Sequence, residues 1–317
     1  MTQLGLKLTS ELHGPDDLVE YAQLADESAF DFAMISDHYH PWTATQGESP
    51  MVWNVIGAIS RATDDLRLGT GVTCPTTRIH PAIVAQAAAT AGAQLPGRFF
   101  LGVGTGENLN EHVTGERWPE HDVRLAKLEE AIDIVRTLWE GETTSYDGEY
   151  YTVENARLFT LPDEPPPIPI AADGPKAARL AGEVGDGLIG VSPDPELIEA
   201  FETAGGDEPR YGEVTVCYDE DTQTAVERAA DLWPVEGLPG ELMWELPTPA
   251  HFEQATEIVS EDDVAELITC GPDPDEHVET IEEYVDAGYD HVVVHQIGSN
   301  QAAFVDFYEE SVLPALS

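Results

Sequence analysis

The sequence predicts an α/β fold, a (β/α)8 barrel carrying insertion segments, and three observations lead there. Short apolar runs alternate with longer helical patterns from one end of the chain to the other. Eight such strand-then-helix units can be counted, which calls for parallel strands joined by helical crossovers. The length of 317 residues is ordinary for a closed barrel of this type with additions. Strands are expected at residues 4–8, 32–36, 66–73, 98–103, 168–172, 187–191, 214–218 and 291–295. A helix is expected over 15–28, opened by Pro15 and the acids Asp16 and Asp17, and others over 52–62, 83–94 and 123–139. The chain is expected to form a single domain, 1–317, with the rhythm broken twice. Residues 143–165 hold a hairpin around Asp147-Gly148 and a stiff approach to the fifth strand at Pro165 to Pro167. Residues 234–261 hold Pro234, Pro239, Pro247 and Pro249 and read as an insertion over one end of the barrel.

The charge balance is extreme, with 61 acidic residues against 14 basic ones and a net charge of -47. Such a chain strains a compact fold by self-repulsion in dilute buffer. In molar salt the Debye length falls to ~3 Å and the repulsion is screened. The acids are dispersed and form no tail, so the balance points to a high-salt cytoplasm. Nucleic-acid binding is excluded as a function class, because phosphate contacts need clustered Lys and Arg. No apolar run is long enough to suggest a membrane span. The N-terminus lacks the basic-then-apolar pattern of a signal peptide. Cys74, Cys217 and Cys270 are far apart, fit neither zinc spacing nor a disulfide framework, and suit a reducing cytoplasm.

In barrels of this kind, chemistry gathers at the C-terminal ends of the strands. That rule brings forward Glu11, then Asp37, His38 and His40, then Gly71, Val72 and Thr73, then residues 104–108, then Ala172, Asp173 and Gly174, and finally His295 and Gln296. An imidazole at His38 with a reference pKa of ~6.5 suits a general base, or equally a histidine satisfied within a loop. Glu107 follows the run Gly102-Val103-Gly104-Thr105-Gly106, where glycines let backbone approach a flat ring or a phosphate. It reads as a proton carrier or as one more surface acid. The run is no dinucleotide fingerprint, because Glu107 stands where the final glycine would fall, so NAD is not inferred. Residues 172–176 end a strand and open a helix, which suits an anionic group or an ordinary capped start. Trp42 is an aromatic pocket wall or a buried loop residue. Cys74, before Pro75, suits packing and stands among the candidate coenzyme contacts. No metal-ligand spacing is present.

At these residues the chain resembles the luciferase-like barrel oxidoreductases that use coenzyme F420, an 8-hydroxy-5-deazaflavin. The branch it is most similar to holds F420-dependent glucose-6-phosphate and secondary alcohol dehydrogenases. The resemblance is carried by residues 36–42 (Ser-Asp-His-Tyr-His-Pro-Trp), 75–86, 100–111, 147–151, 170–175 and 185–187. It implies that Asp37 contacts the coenzyme and that His38 is the base or stabilises the substrate alkoxide. It also implies that Trp42 lines the pocket and that Glu107 gives a proton to the deazaflavin ring. Gly71-Val72 would be a non-proline cis peptide against the ring. Gly106, Asn108, Asn110, Ala172, Asp173 and Gly174 would hold the coenzyme, and Glu11 and Trp244, with Trp42, would face substrate. A homodimer is the implied assembly, and FMN is the less favoured cofactor.

The departures matter. Sugar-phosphate enzymes of the family clamp phosphate with two Lys and one Arg; matching positions here hold Asp194, Met243 and Leu267, and no basic residue follows Arg228. A phosphate pocket without cations would repel its substrate. The expected activity is therefore hydride transfer between the deazaflavin and a small alcohol, sugar or carbonyl compound, with glucose 6-phosphate disfavoured. A methylene-tetrahydropterin or folate reductase, an FMN-dependent monooxygenase and a non-catalytic coenzyme-binding protein are the alternatives.

Overall fold

A computed structural model describes residues 2–316. Its strands are β1 (Gln3–Leu8), β2 (Phe32–Ile35), β3 (Arg67–Thr70), β4 (Phe99–Phe100), the hairpin pair β5 (Thr144–Asp147) and β6 (Thr152–Ala156), β7 (Ile170–Ala171), β8 (Leu188–Gly190), β9 (Arg210–Cys217), β10 (Thr269–Cys270) and β11 (His291–Gln296). The parallel sheet runs β4-β3-β2-β1-β11-β9-β8-β7. A parallel bridge from Val103 to Ile170 joins its two ends, so eight strands close into a barrel. Helices separate successive barrel strands throughout, as the alternation in the sequence requires.

Period-two alternation sorts each strand into two faces. Leu4, Leu6 and Leu8 of β1, Ala33 and Ile35 of β2, and Val292 and Val294 of β11 point outward into the core shared with the helices. Phe32, Met34, Phe100, Ile189, Tyr211 and Val293 point inward and fill the barrel. Room for the large rings comes from glycine: a Cβ at Gly69 would lie 1.9 Å from the Phe100 ring. The same alternation turns Lys7, Glu213 and His295 inward near the C-terminal ends.

Three expectations are corrected. The strands expected at 66–73 and 98–103 are shorter, because the ladder breaks up after Thr70 and Phe100, where the cis Gly71–Val72 peptide interrupts it, and continues only as the isolated bridges Thr73–Val103 and Val103–Ile170. The strand expected at 214–218 begins earlier, at Arg210. A ninth strand, β10, was not expected; two residues long, it pairs Thr269 and Cys270 with Val216 and Cys217 of β9. It returns the chain from the insertion, which folds into a 3-10 turn (Pro234–Gly237) and helices at Leu242–Glu245, Pro249–Thr256 and Glu261–Leu267. A separate apolar cluster with Trp42, Leu109, Trp233, Val235, Phe252 and Ile297 fastens the insertion to the barrel mouth.

Among the described residues, no helix is long and apolar enough to cross a membrane. All three cysteines are buried and free. The net charge of -47 yields a direct expectation: the thermal unfolding midpoint, followed by circular dichroism, rises between dilute buffer and molar KCl. Equal midpoints would show that self-repulsion does not limit this fold.

Candidate active site

The site forms where the loops after β1, β2, β3 and β4 converge. Its centre is one buried amide. Asn110, in the short helix Asn108–Glu111, accepts backbone N–H bonds from Tyr39 at 2.8 Å and His40 at 3.0 Å through Oδ1. Those two donors fix which end of the amide is oxygen. Its Nδ2 then lies 3.0 Å from Nδ1 of His38 and donates to Glu107 Oε2 at 3.2 Å. The imidazole from the β2 rim and the carboxylate from the β4 rim are thereby held by a single side chain.

His38 Nδ1 also lies 3.2 Å from the His40 carbonyl, so this nitrogen is occupied in either tautomer. Nε2 is left to face Glu11, 3.4 Å from Oε1. Glu11 is only 2 % exposed. Its Oε2 accepts from Ser10 Oγ at 3.2 Å and from Ser36 Oγ in a shorter bond. Burial alone would raise this carboxyl, but His38, the Ser36 hydroxyl and the Lys7 ammonium together hold it below its ordinary range. Trp42 meets His38 edge-on at 5.1 Å and Phe252 of the insertion at 5.2 Å. Its backbone N–H donates to Gln46, whose amide in turn donates to the Leu232 carbonyl.

Asp37 is held from two sides. Thr73 Oγ1 donates to Oδ2 at 2.8 Å, and the Arg78 guanidinium donates to Oδ1 and to the Asp37 carbonyl, each at 2.9 Å. Arg78 also pairs with Glu111, whose Oε2 accepts from the Arg78 backbone N–H at 2.7 Å. Burial pushes the Glu111 carboxyl up to about 7, against the pull of Arg78. In the sequence, Arg78 and Glu111 stand only inside the longer segments 75–86 and 100–111. A buried guanidinium between two carboxylates is invisible to residue spacing, although an arginine in so acidic a chain was a signal.

The remaining candidates form a wall and a rim. The Gly71–Val72 peptide is cis. Gly106 has φ +76°, and a Cβ there would meet Cys74 Sγ at 2.7 Å. Glycine thus lets the β4 loop lie flat on the β3 loop, with Cys74 packed beneath and its Sγ 3.0 Å from Thr76 Oγ1. Asn108 donates to the Glu245 carbonyl and so ties the β4 loop to the insertion. Asp173, just beyond the buried Ala172, has a carboxyl raised by its surroundings, with a hydrogen bond from Trp244 opposing the rise. Trp244 thus joins the rim beside Asp173. Gly174 opens the helix Pro175–Val184, and a Cβ there would meet nothing within 4 Å. Flat glycine surfaces beside a helix N-terminus with open space in front fit a planar ring that carries an anionic tail. A cavity of about 650 Å³ lies at the opposite rim among Arg67, Arg98, Pro167 and Tyr211, and no candidate residue lines it.

Comparison with known proteins agrees with this geometry. The luciferase-like monooxygenase family model matches residues 1–291. The chain belongs to the luciferase-like family. Within it, the chain is 39 % identical over 329 residues to an F420-dependent glucose-6-phosphate dehydrogenase of Beutenbergia cavernae, covering 100 % of this chain and 98 % of the relative. The corresponding protein of Microbacterium testaceum is 38 % identical over 327 residues, covering 99 % of this chain and 97 % of the relative. Among solved structures, an F420-dependent secondary alcohol dehydrogenase in complex with an F420-acetone adduct superposes with a TM-score of 0.90 at 32 % identity, covering 100 % of this chain and 99 % of that one. The coenzyme F420-dependent tetrahydromethanopterin reductase of Methanopyrus kandleri shares the fold, with a TM-score of 0.80 at 21 % identity over 100 % of this chain and 99 % of that one. This luciferase-like chain is thus an F420-dependent oxidoreductase by family, with a barrel mouth that fits the coenzyme.

Two outcomes follow from the geometry. Arg78→Met strands Asp37 and Glu111 without their cation and is expected to cost about 3 kcal/mol in a denaturant titration at constant salt. A loss below about 1 kcal/mol would mean that the pairs do not hold the loops. Burial pushes His13 down to about 4 and His295 down to about 3, so both fold as neutral rings. Depressed imidazoles stabilise fully above their unfolded pKa of ~6.5, and that contribution fades as pH falls toward their folded values. The stability gap between wild type and a His13→Gln, His295→Gln double variant therefore shifts against wild type on acidification from pH ~6.5 to ~4. A gap independent of pH would contradict the burial.

Proposed function

We propose that this chain passes a hydride between coenzyme F420 and a small uncharged alcohol, sugar or carbonyl compound, with glucose 6-phosphate disfavoured. The observation that carries the reading is the Asn110 amide that sets the His38 ring and the Glu107 carboxylate on either side of one mouth. When bound, the coenzyme supplies the hydride acceptor or donor. With its Nδ1–H donating to the His40 carbonyl, His38 receives the proton of the substrate hydroxyl at Nε2, and the imidazolium so formed faces the Glu11 carboxylate. Glu107, hydrogen-bonded at Oε2, holds or releases a proton at Oε1 toward the coenzyme. Trp42 and the insertion exclude water from the pocket and strengthen each of these interactions. Carbonyl reduction runs the same proton movements in reverse.

The preference for an uncharged substrate rests on where the cations are. The positions matched to a phosphate clamp hold Asp194, which caps its own helix by accepting from the Glu196 backbone N–H, the half-buried Met243 packed against the insertion's apolar cluster, and Leu267, which is 58 % exposed. Arg228 is tied to Asp219 at 2.6 Å and to the Tyr218 carbonyl at 3.1 Å. Lys7 is paired with Glu213 at 2.5 Å.

The test is a titration with purified F420 followed by a substrate panel, read as loss of the oxidised coenzyme's visible absorbance. His38→Ala is expected to lower kcat by about 100- to 10,000-fold while the coenzyme Kd stays within about twofold. Turnover that survives the change removes His38 from its role. Oxygen consumption with FMN and none of this activity with F420 would overturn the reading as a whole.

A further inference from the structure

The β1–β11 side of the mouth holds polar atoms that no part of the proposed proton path uses. Thr9 Oγ1, His13 Nε2 and His295 Nε2 are buried and find no hydrogen-bond partner among the described residues. Thr9 and His295 are each 1 % exposed and His13 is 4 % exposed. They belong to one place. The register sets Leu6 of β1 opposite Val294 of β11, so the next inward residues, Lys7 and His295, lie side by side, and Thr9 follows one inward step beyond. Both imidazoles are within electrostatic reach of Glu11, which itself faces His38. The His295 Nδ1 lies 3.5 Å from Thr215 Oγ1, which leaves Nε2 as the free end of the ring.

The insertion completes this wall. Trp233 sets its ring edge-on to His295 at 4.4 Å, and its indole N–H donates to Glu236 Oε2 at 3.2 Å. Glu236 keeps contact with solvent, yet the protein around it, with Glu213 nearby, pushes its carboxyl upward. Glu236, exposed and bonded to Trp233, stands at the outer edge of this wall.

We propose that Thr9, His13, His295 and Glu236 form a polyol subsite, which makes the substrate a neutral polyhydroxylated compound, an unphosphorylated aldose, rather than a sugar phosphate or a simple secondary alcohol. This rests on the F420-dependent reading of the same mouth. Buried polar atoms left unmade are costly, so they mark what the site is built to meet. A hydroxyl and a neutral imidazole each donate and accept, and a sugar hydroxyl does both in return. His295 remains neutral at pH 7, and the Glu236 carboxylate accepts hydrogen bonds from hydroxyls. A phosphate dianion brings only acceptors and meets Glu11, Glu213 and Glu236. Propan-2-ol has one hydroxyl, which His38 claims, and leaves the subsite unmet. In the reaction the C1–H bond of the cyclic aldose breaks as hydride to oxidised F420, the O1 proton goes to His38, and the C1=O bond of the lactone forms.

The experiment uses the full chain in molar KCl with F420, following its absorbance with D-glucose, glucose 6-phosphate and propan-2-ol. We expect kcat/KM for D-glucose to exceed both others by at least about 100-fold. Thr9→Val keeps shape and removes only the hydroxyl. It is expected to lower kcat/KM for D-glucose about 10-fold without lowering the thermal midpoint, a combination that a merely structural Thr9 does not give. Glu236→Lys is expected to narrow the deficit of glucose 6-phosphate. Equal kcat/KM for glucose and propan-2-ol, a preference for the phosphate, or unchanged glucose kinetics in Thr9→Val overturns the subsite and leaves F420 chemistry standing. Failure to bind F420 in a separate fluorescence titration overturns the underlying reading instead.

Discussion

The geometry of this site depends on the orientation of one side-chain amide. Asn110 is 1 % exposed, and its oxygen is claimed by two backbone donors from the β2 loop. An amide so held cannot rotate without stranding two N–H groups, so its nitrogen stays placed between His38 and Glu107. Barrel strands fix the rims only to the accuracy of loops, whereas proton transfer needs positions good to a fraction of an ångström. The cross-link between the β2 and β4 rims supplies that accuracy. Arg78 repeats the device one layer outward, joining Asp37 of the β2 rim to Glu111 at the far end of the Asn110 helix. The two bridges share an element, so neither rim can shift alone.

The insertion acts on the same loops from above. Trp42 is packed by Phe252, and the Ala44 N–H is held by Glu253. Asn108 reaches the Glu245 carbonyl, and Arg124, stacked 4.3 Å from the Trp118 ring centroid, reaches the Glu245 side chain. A cover made of short helices has little apolar surface of its own to bury. Its stability comes from a shared cluster with Trp42 and Leu109, so the β2 loop and its cover order each other. β10 serves the same end by pinning the returning chain to β9.

The fold was legible because each barrel strand carries its own signal. Leu4, Leu6 and Leu8, or Val292 and Val294, alternate with inward residues, and a helical pattern follows each time. β10 escaped because two residues carry no period, and its partner is set by the insertion's path. At the site, strand-end position singled out Asp37, His38 and Glu107, while Trp42 stood out as a loop aromatic and Asn110 came only through the family resemblance. The sequence could not show that Asn110 stands between His38 and Glu107, that Trp244 reaches Asp173, or that His13 comes close to His295. Those are meetings between segments far apart in the chain, made by closure of the barrel. His295 was noted only as a strand end, because alternation gives its direction and only the closed barrel gives its neighbours.

The distribution of charge joins fold and specificity. Basic residues are few, and the buried ones near the mouth are already engaged: Lys7 with Glu213, Arg78 with Asp37 and Glu111, and Lys127 with Thr77 and Glu116. Lys7 is 7 % exposed, and the Arg78 side chain is likewise 7 % exposed. An anionic substrate would have to draw one of these cations from a buried partner, and that partner would then stand as an uncompensated charge in a low-dielectric interior. Neutral hydroxyls ask for no such exchange, because they meet carboxylates and uncharged imidazoles as those groups already stand. The acid-rich exterior and the sparing interior placement of cations are therefore one constraint. The lysines and arginines that hold the loops in register are not free to hold a phosphate.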